Sequence, residues 1–227
     1  MKVRCGSYNV FYAFLLFVFM FAGCATIKPS ALNQNVNAID ISQESIAIFT
    51  VKVANKYKPS YQPKIMYVFV WQNDKGGNKK YSFKVDGEYR EVENEYNEYL
   101  ISFQLPPGKY KLREFFAQSG IFPVRGTFAI PIYSTFEIEA NKIIYLGHIE
   151  AYVKKRTRDD ELRAGIVIPL IDQAAVGASG GTFVIEIKDM FKNDIALFKK
   201  QYHYLSDYNI ENRTLPPWKN PSKEDMQ

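Results

Sequence analysis

The chain has 227 residues, a formal net charge of +5 and two cysteines. This length suits one sizeable domain with its own core. Part of the positive charge comes from Lys2 and Arg4, and no zinc-finger or RNA-binding motif is present, so the charge does not indicate a nucleic-acid-binding protein. Cys5 and Cys24 both lie near the N-terminus, so a disulfide-stapled domain is excluded and stability must come from hydrophobic packing.

The N-terminal segment has the pattern of an export signal. An apolar run over residues 10–21 follows the two basic residues, and it is short for a membrane span. The run closes with Phe21-Ala22-Gly23-Cys24, which resembles the lipobox of bacterial lipoproteins. The resemblance implies that residues 1–23 are a signal peptide, cleaved before Cys24, and that acylated Cys24 attaches the protein to a lipid bilayer. The alternative is an uncleaved N-terminal membrane anchor.

The residue after the cysteine bears on the destination. Ala25 stands there, whereas in enterobacterial lipoproteins an Asp favours retention in the inner membrane. The resemblance therefore implies an outer-membrane protein of the cell envelope that faces the periplasm. The polar, Asn/Gln/Ser-rich residues 24–44 are interpreted as a flexible tether.

The following residues favour β-structure, because aromatic and β-branched side chains are frequent and short apolar runs alternate with Gly, Pro and Asn turns. We therefore expect an all-β domain over residues 45–188, an antiparallel sandwich of prealbumin or immunoglobulin-like type. The predicted strands are residues 46–53, 64–72, 81–85, 99–105, 109–116, 133–139, 142–153, 164–168 and 182–188.

A Pro-Pro-Gly turn is the clearest internal motif. It lies at residues 106–108 between two of these strands, and Tyr110 and Leu112 after it are expected to face the core. The segment resembles a hairpin of prealbumin-like sandwiches, including carboxypeptidase regulatory-like domains and collagen-adhesin repeats. In the adhesin repeats the matching Glu promotes a Lys–Asn isopeptide bond, which would place Glu114 and Lys52 in that role. We favour the alternative, an ordinary exposed strand Glu.

The C-terminal part, residues 189–227, changes to a helical period before an irregular tail. Five apolar residues share one face of the predicted helix: Phe191, Ile195, Phe198, Tyr202 and Leu205. This stripe is expected to dock on the chain's own sandwich, and the alternative is a partner-binding helix.

Two features suggest catalysis or metal binding, and neither has the right context. Residues 177–181 match the G-x-S-x-G elbow around Ser179, and Asp194 and His203 follow in hydrolase order. A strand rather than a helix follows the serine, however, so a glycine-rich connection is favoured. His148, the other histidine, is predicted on the strand face opposite Tyr145 and lacks a metal-binding motif. We therefore predict a non-enzyme with no catalytic residue, cofactor or metal.

The acidic, tyrosine-rich residues 86–99 are interpreted as a solvated loop or edge strand whose charges discourage aggregation, and the alternative is a contact surface for an envelope protein or glycan through Tyr89, Tyr96 and Tyr99. The basic residues 154–158 are interpreted either as a lipid-headgroup contact or as a charge-compensated surface turn. Together these patterns favour a membrane-anchored envelope lipoprotein that acts as a non-catalytic binding or assembly module. The alternatives are an envelope hydrolase that uses Ser179 and an adhesin-like structural domain.

Overall fold

The computed structural model describes residues 27–74, 77–121, 124–165 and 174–222. The predicted signal peptide, the lipobox and Cys24 lie outside these residues. No helix within them is long and apolar enough to cross a membrane. The elements, in chain order, are β1 (Ile27–Lys28), β2 (Ser45–Asn55), β3 (Lys64–Asp74), β4 (Gly77–Lys84), β5 (Arg90–Val92), β6 (Tyr96–Leu105), β7 (Gly108–Ile121), β8 (Val124–Ile138), β9 (Ile143–Lys155), β10 (Gly181–Lys188), α1 (Phe191–Gln201), a 3-10 helix (His203–Asp207) and β11 (Ile210–Asn212).

The strands form two mixed sheets, so the chain is mostly β with one α-helix in the described part. Sheet A has the order β1-β4-β3-β7-β8, and sheet B has the order β10-β9-β2-β6-β5 with β11 beside β9. Among the described strands, three pairings are parallel: β1 with β4, β2 with β9 and β11 with β9. A wholly antiparallel arrangement is therefore wrong, because distant strands are brought together in the same direction by long connections.

The two sheets share one hydrophobic core. Alternate residues of β2 point into it, and the Phe49 ring stacks on Phe115 of sheet A with centroids 5.7 Å apart. Phe83 of sheet A stacks in the same way on Phe103 of sheet B at 5.0 Å. These ring pairs join the inner faces of the sheets, as expected from the period-two patterns of their strands.

The Pro-Pro-Gly turn connects the two sheets, rather than closing a hairpin. β6 ends at Leu105 in sheet B, and β7 begins at Gly108 in sheet A. Tyr110 and Leu112 are buried as predicted, and the Tyr110 hydroxyl donates to the Pro106 carbonyl at 2.7 Å. The rigid turn therefore carries the chain from one layer to the other and is held by a hydrogen bond from the next strand.

Helix α1 covers one end of the outer face of sheet B. Phe198 and Leu205 are buried in a second apolar cluster with Ile46 and Ile48, which alternate with the core residues of β2. The α-helix ends at Gln201 because the next residue leaves helical geometry (φ −128°, ψ 81°), and a 3-10 helix carries the stripe onward. The predicted stripe therefore docks on the chain's own sheet.

The segment predicted as a flexible tether is packed from Ile27 onward. Ile27 pairs with Ser82 of β4, and Leu32, only 1% exposed, donates its N–H to the Ser102 hydroxyl. Ile39 and Ile41 pack against the same second cluster. The widely spaced apolar residues of this polar segment thus pack on the outer face of sheet B beside α1. The prediction of a flexible tether is wrong for these residues, because the average composition of the segment hides its few apolar side chains.

Candidate functional site

The structure does not bring the hydrolase-like residues together. Ser179 lies in the turn before β10, whose first residue, Gly181, pairs with Lys155 at one end of β9. The 3-10 helix that begins at His203 packs in the apolar cluster of Tyr145, near the other end of β9. At roughly 3.3 Å per residue, these two ends are about 30 Å apart. A Ser179–His203 pair therefore has no geometric basis in this fold.

A different histidine forms a buried polar cluster. His148 Nδ1 lies 3.2 Å from Asp194 Oδ2, and the same oxygen accepts a 2.6 Å hydrogen bond from the Tyr145 hydroxyl. Asp194 is only 1% exposed. Because an ionised carboxylate only accepts hydrogen bonds, Nδ1 is the imidazole nitrogen placed to donate to such a group. Burial, and next the hydrogen bond to Asp194, raises the pKa of Tyr145 above its usual range.

A bulge puts His148 in this cluster. The register between β2 and β9 shifts by one residue beside Gly147, which has φ +118°. His148 and Tyr145 therefore lie on the same outer face, and their prediction on opposite faces is wrong. Glycine inside a strand is the sequence signal for this bulge, and Asp194 within the apolar helix stripe signals the partner.

The cluster continues toward solvent through charged residues. His148 Nε2 lies 3.7 Å from Glu150 Oε1, and the Lys188 ammonium donates to Glu150 Oε2 at 2.8 Å. Burial alone would raise the pKa of Glu150, but the Lys188 hydrogen bond and positive charges lower it below its usual value. Thr50 is the register neighbour of His148, and its hydroxyl has no partner among the described residues. Among the described residues, no hydroxyl or thiol is bonded to the His148 imidazole, whose partners are the carboxylates of Asp194 and Glu150.

Beyond the cluster, the outer face of sheet B forms an open groove. Ala54 of β2 pairs with Tyr152 of β9, and the β2–β6 register, extended by one residue beyond the Val53–Asn97 pair, puts Tyr96 of β6 in the same row. All three residues line one cavity. The Lys52 ammonium lies 4.0 Å from the centroid of the Tyr96 ring, and the Lys56 ammonium lies 3.7 Å from that of Tyr152. We call these five residues the tyrosine groove. The cavity has a volume of about 510 Å³, within the usual size of a ligand site.

Of the three predicted contact tyrosines, only two are near the surface. Tyr89 and Tyr96 are half-buried, whereas Tyr99 is fully buried in the main core. The Ile65 N–H donates to the Tyr99 hydroxyl at 3.0 Å, and burial raises the Tyr99 pKa far above its usual value. Tyr99 is therefore a core residue rather than a contact residue. It points inward because it is an odd-numbered residue of a strand whose even-numbered residues face out.

Other predicted features have structural roles. Of the basic residues in 154–158, Lys154, Arg156 and Arg158 pair with the following acids, with Lys154 3.0 Å from Glu161. Backbone hydrogen bonds, first that from Thr157, and Lys154 lower the pKa of Glu161 to about 2. Lys52 and Glu114 lie on the outer faces of different sheets, away from the core where an isopeptide bond would form. The described residues contain no group of three or more His, Cys, Asp or Glu side chains that could hold a metal ion.

Comparisons with known proteins add little to this picture. No protein-family model and no curated protein matches the chain. One similar solved structure is a leucine-rich repeat protein from Bacteroides thetaiotaomicron, with 16% sequence identity and a TM-score of 0.30. The match covers 48% of this chain and 14% of that protein.

Proposed function

We propose that the protein is a lipid-anchored, non-catalytic binding module of the bacterial cell envelope, and that the tyrosine groove holds its ligand. The observation that carries this proposal is the row of Tyr96, Ala54 and Tyr152 across three neighbouring strands. Two half-buried rings beside a small residue form a platform on a rigid sheet. The apolar run and the lipobox-like residues ending at Cys24 support the anchor.

The chemistry of the groove favours an acidic saccharide. Tyrosine offers a ring face for the apolar side of a sugar and a hydroxyl for its polar groups. Lys52 is flanked by Glu98 and Glu150 in the strand registers, so Lys56, whose ammonium lies over the Tyr152 ring, is the cation that can meet an anionic group of a ligand. An envelope protein with an acidic, extended segment is the alternative ligand.

Titration of two probes tests the groove. We expect a hyaluronan tetrasaccharide to bind and the uncharged chitotetraose to bind more weakly. Tyr152→Ala should weaken hyaluronan binding about tenfold, the equivalent of roughly 1.4 kcal/mol, while Tyr67→Ala on sheet A should not. Equal affinities for wild type and Tyr152→Ala would contradict a ligand site in the groove.

The anchor has its own test. Cys24→Ser should leave an unprocessed precursor and abolish labelling by a fatty-acid probe, because the thiol is the acylated group in the proposed pathway. Gly23→Asp should also block processing. Equal labelling of wild type and Cys24→Ser would overturn the lipid anchor without affecting the groove.

We also propose that the fold is a variant of the prealbumin or immunoglobulin-like sandwiches. Its support is the pair of sheets around one core, the crossing between sheets at Gly108 and the tyrosine hydroxyl that holds this crossing. For the alternative of an envelope hydrolase, a fluorophosphonate probe should label Ser179 and lose that label in Ser179→Ala. The expected result is no labelling in either protein.

A further inference from the structure

The outer face of sheet A is rich in partly exposed aromatic side chains. Tyr67, Phe69 and Trp71 alternate along β3 with the core residues Val68 and Val70. The aromatic patch is completed by the neighbouring ring on β7, Phe116. All four are half-buried, so much of each ring packs on the sheet while an edge or face reaches solvent. A cluster of this kind on a folded surface usually marks an interaction site.

Basic side chains surround these rings. Arg113 stacks on the Trp71 ring with 3.8 Å between its guanidinium carbon and the ring centroid, and the Lys80 ammonium lies 4.6 Å from the same centroid. Lys84 is the register neighbour of Tyr67 and is exposed. One acid, Glu114, lies beside Phe69, and burial raises its pKa, which disfavours its negative charge. The face is therefore aromatic at its centre and positive along β4.

The N-terminal chain enters at the same edge. β1 begins at Ile27 and pairs with Ser82 of β4, between Lys80 and Lys84. Ile27 lies three positions after Cys24, and at no more than roughly 3.6 Å per position this distance is at most about 11 Å. An anchor at Cys24 therefore holds the β4 edge of sheet A close to the bilayer, whatever conformation the connecting residues adopt.

We infer that the outer face of sheet A lies on the membrane surface and binds anionic lipid headgroups. This inference rests on the proposed lipid anchor. Trp and Tyr favour the membrane interface because their rings have an apolar body and a polar tip, and lysines near the surface are attracted to anionic lipids. The two outer faces point in opposite directions, so the tyrosine groove on sheet B opens away from the bilayer.

The two tryptophans give a matched pair of reporters. Trp71 lies on the proposed contact face, whereas the Trp218 indole donates to the Pro131 carbonyl and packs against the main core. The acylated full chain is reconstituted in phosphatidylcholine vesicles with brominated acyl chains, with or without phosphatidylglycerol. Each tryptophan is observed alone, in Trp218→Phe or Trp71→Phe, after unchanged melting temperatures have shown that both variants fold.

We expect phosphatidylglycerol to lower Trp71 fluorescence about twofold by bringing the ring to the interface, and to leave Trp218 nearly unchanged. Lys80→Glu with Lys84→Glu should restore the Trp71 signal, because the anionic surface then repels the β4 edge. The control pair Lys192→Glu with Lys200→Glu reverses two exposed charges on α1 and should have no effect.

The possible failures are distinguishable. Unquenched Trp71 in protein that floats with the vesicles would overturn the proposed orientation and leave the anchor intact. Restoration of the Trp71 signal by the α1 pair to the same degree would show that net charge, rather than this face, controls the contact. Protein that does not float at all would overturn the anchor and the orientation that depends on it.

Discussion

The outer faces of the two sheets both carry large apolar side chains, which are covered on sheet B and open on sheet A. On sheet B, Ile46 and Ile48 lie beneath α1 and the N-terminal segment, and a fully enclosed Phe198 completes the cluster. On sheet A, Tyr67 and Trp71 are only half-buried. The difference shows that strand alternation selects which residues share a face, whereas the rest of the chain decides whether that face becomes core or surface.

Removing one aromatic ring from each outer face should give the largest change in stability and tests this comparison directly. Phe198→Ala should lower the free energy of unfolding by about 3–5 kcal/mol, because a fully buried ring leaves a cavity. Phe116→Ala on the open face should cost only about 1 kcal/mol, since part of that ring is already in water. Urea denaturation measures both. Equal losses would show that the two faces are covered to the same extent.

Removing the shared acceptor of the buried polar cluster should give the next largest loss of stability. Asp194→Ala should destabilise the protein by roughly 3 kcal/mol, because the Tyr145 hydroxyl and His148 Nδ1 would both lose their buried acceptor. Asn193→Ala, at the exposed neighbouring position of α1, should be neutral or slightly stabilising. An unchanged denaturation midpoint for Asp194→Ala would contradict this prediction. It would mean that water reaches this end of sheet B and replaces the carboxylate as the acceptor.

Alanine substitutions at two glycines with positive φ distinguish the cost of backbone strain from the cost of close packing. Gly147→Ala should cost about 1–3 kcal/mol, because its φ of +118° is unfavourable for alanine and its Cβ would lie 3.2 Å from Ile187 Cγ2 and from Thr214 Cγ2. Gly87→Ala has a similar φ of +104°, but nothing lies within 4 Å of its Cβ. Thermal unfolding should therefore show a larger loss for Gly147→Ala. The reverse order would exclude close packing at the β9 bulge.

The smallest effect concerns the acid on the open face. Burial raises the folded-state pKa of Glu114 above its unfolded value, so its charge opposes folding at neutral pH, and this opposition disappears as the pH falls through the unfolded pKa. Glu114→Gln should therefore stabilise the protein at pH 7, by less than about 1 kcal/mol because the group is partly solvent-screened. The gain should vanish near pH 4. A loss of stability at pH 7 would indicate that Arg113 pairing outweighs burial.

Local pattern in the sequence predicts much of the strand content, because a period of two is visible without knowledge of neighbours. Each of eight predicted strand segments overlaps a strand of the structure: β2, β3, β4, β6, β7, β8, β9 and β10. The ninth is not a strand in its described part, since residues 164 and 165 form a bend, and residues 166–168 lie outside the described chain. Strand direction was not predictable, because the parallel pairing of β2 with β9 depends on tertiary packing.

The tyrosine groove and the buried polar cluster are harder to predict from the sequence than the strands. The acidic, tyrosine-rich surroundings of Tyr96 suggest a surface residue, and Tyr96 lines the groove, but Tyr152 on the other side belongs to a strand more than fifty residues later. His148 and Asp194 are joined only by the bulge at Gly147 and the docking of α1. The acidic, tyrosine-rich composition of residues 86–99 also suggests Tyr99 as a contact residue, but Tyr99 is buried, because composition alone does not distinguish the two sides of a strand.

The central position of β2 has a consequence for biosynthesis. It is one of the first strands to be made, yet one of its neighbours in sheet B is β9, and the contact between Ser45 and Lys142 joins residues 97 positions apart. Contacts of such long sequence separation form slowly. Until β9 emerges, one edge of β2 exposes unpaired N–H and C=O groups that can pair with another chain. Fragments that stop before residue 143 should therefore aggregate, and the growing chain must be kept apart from its copies until its second half is complete.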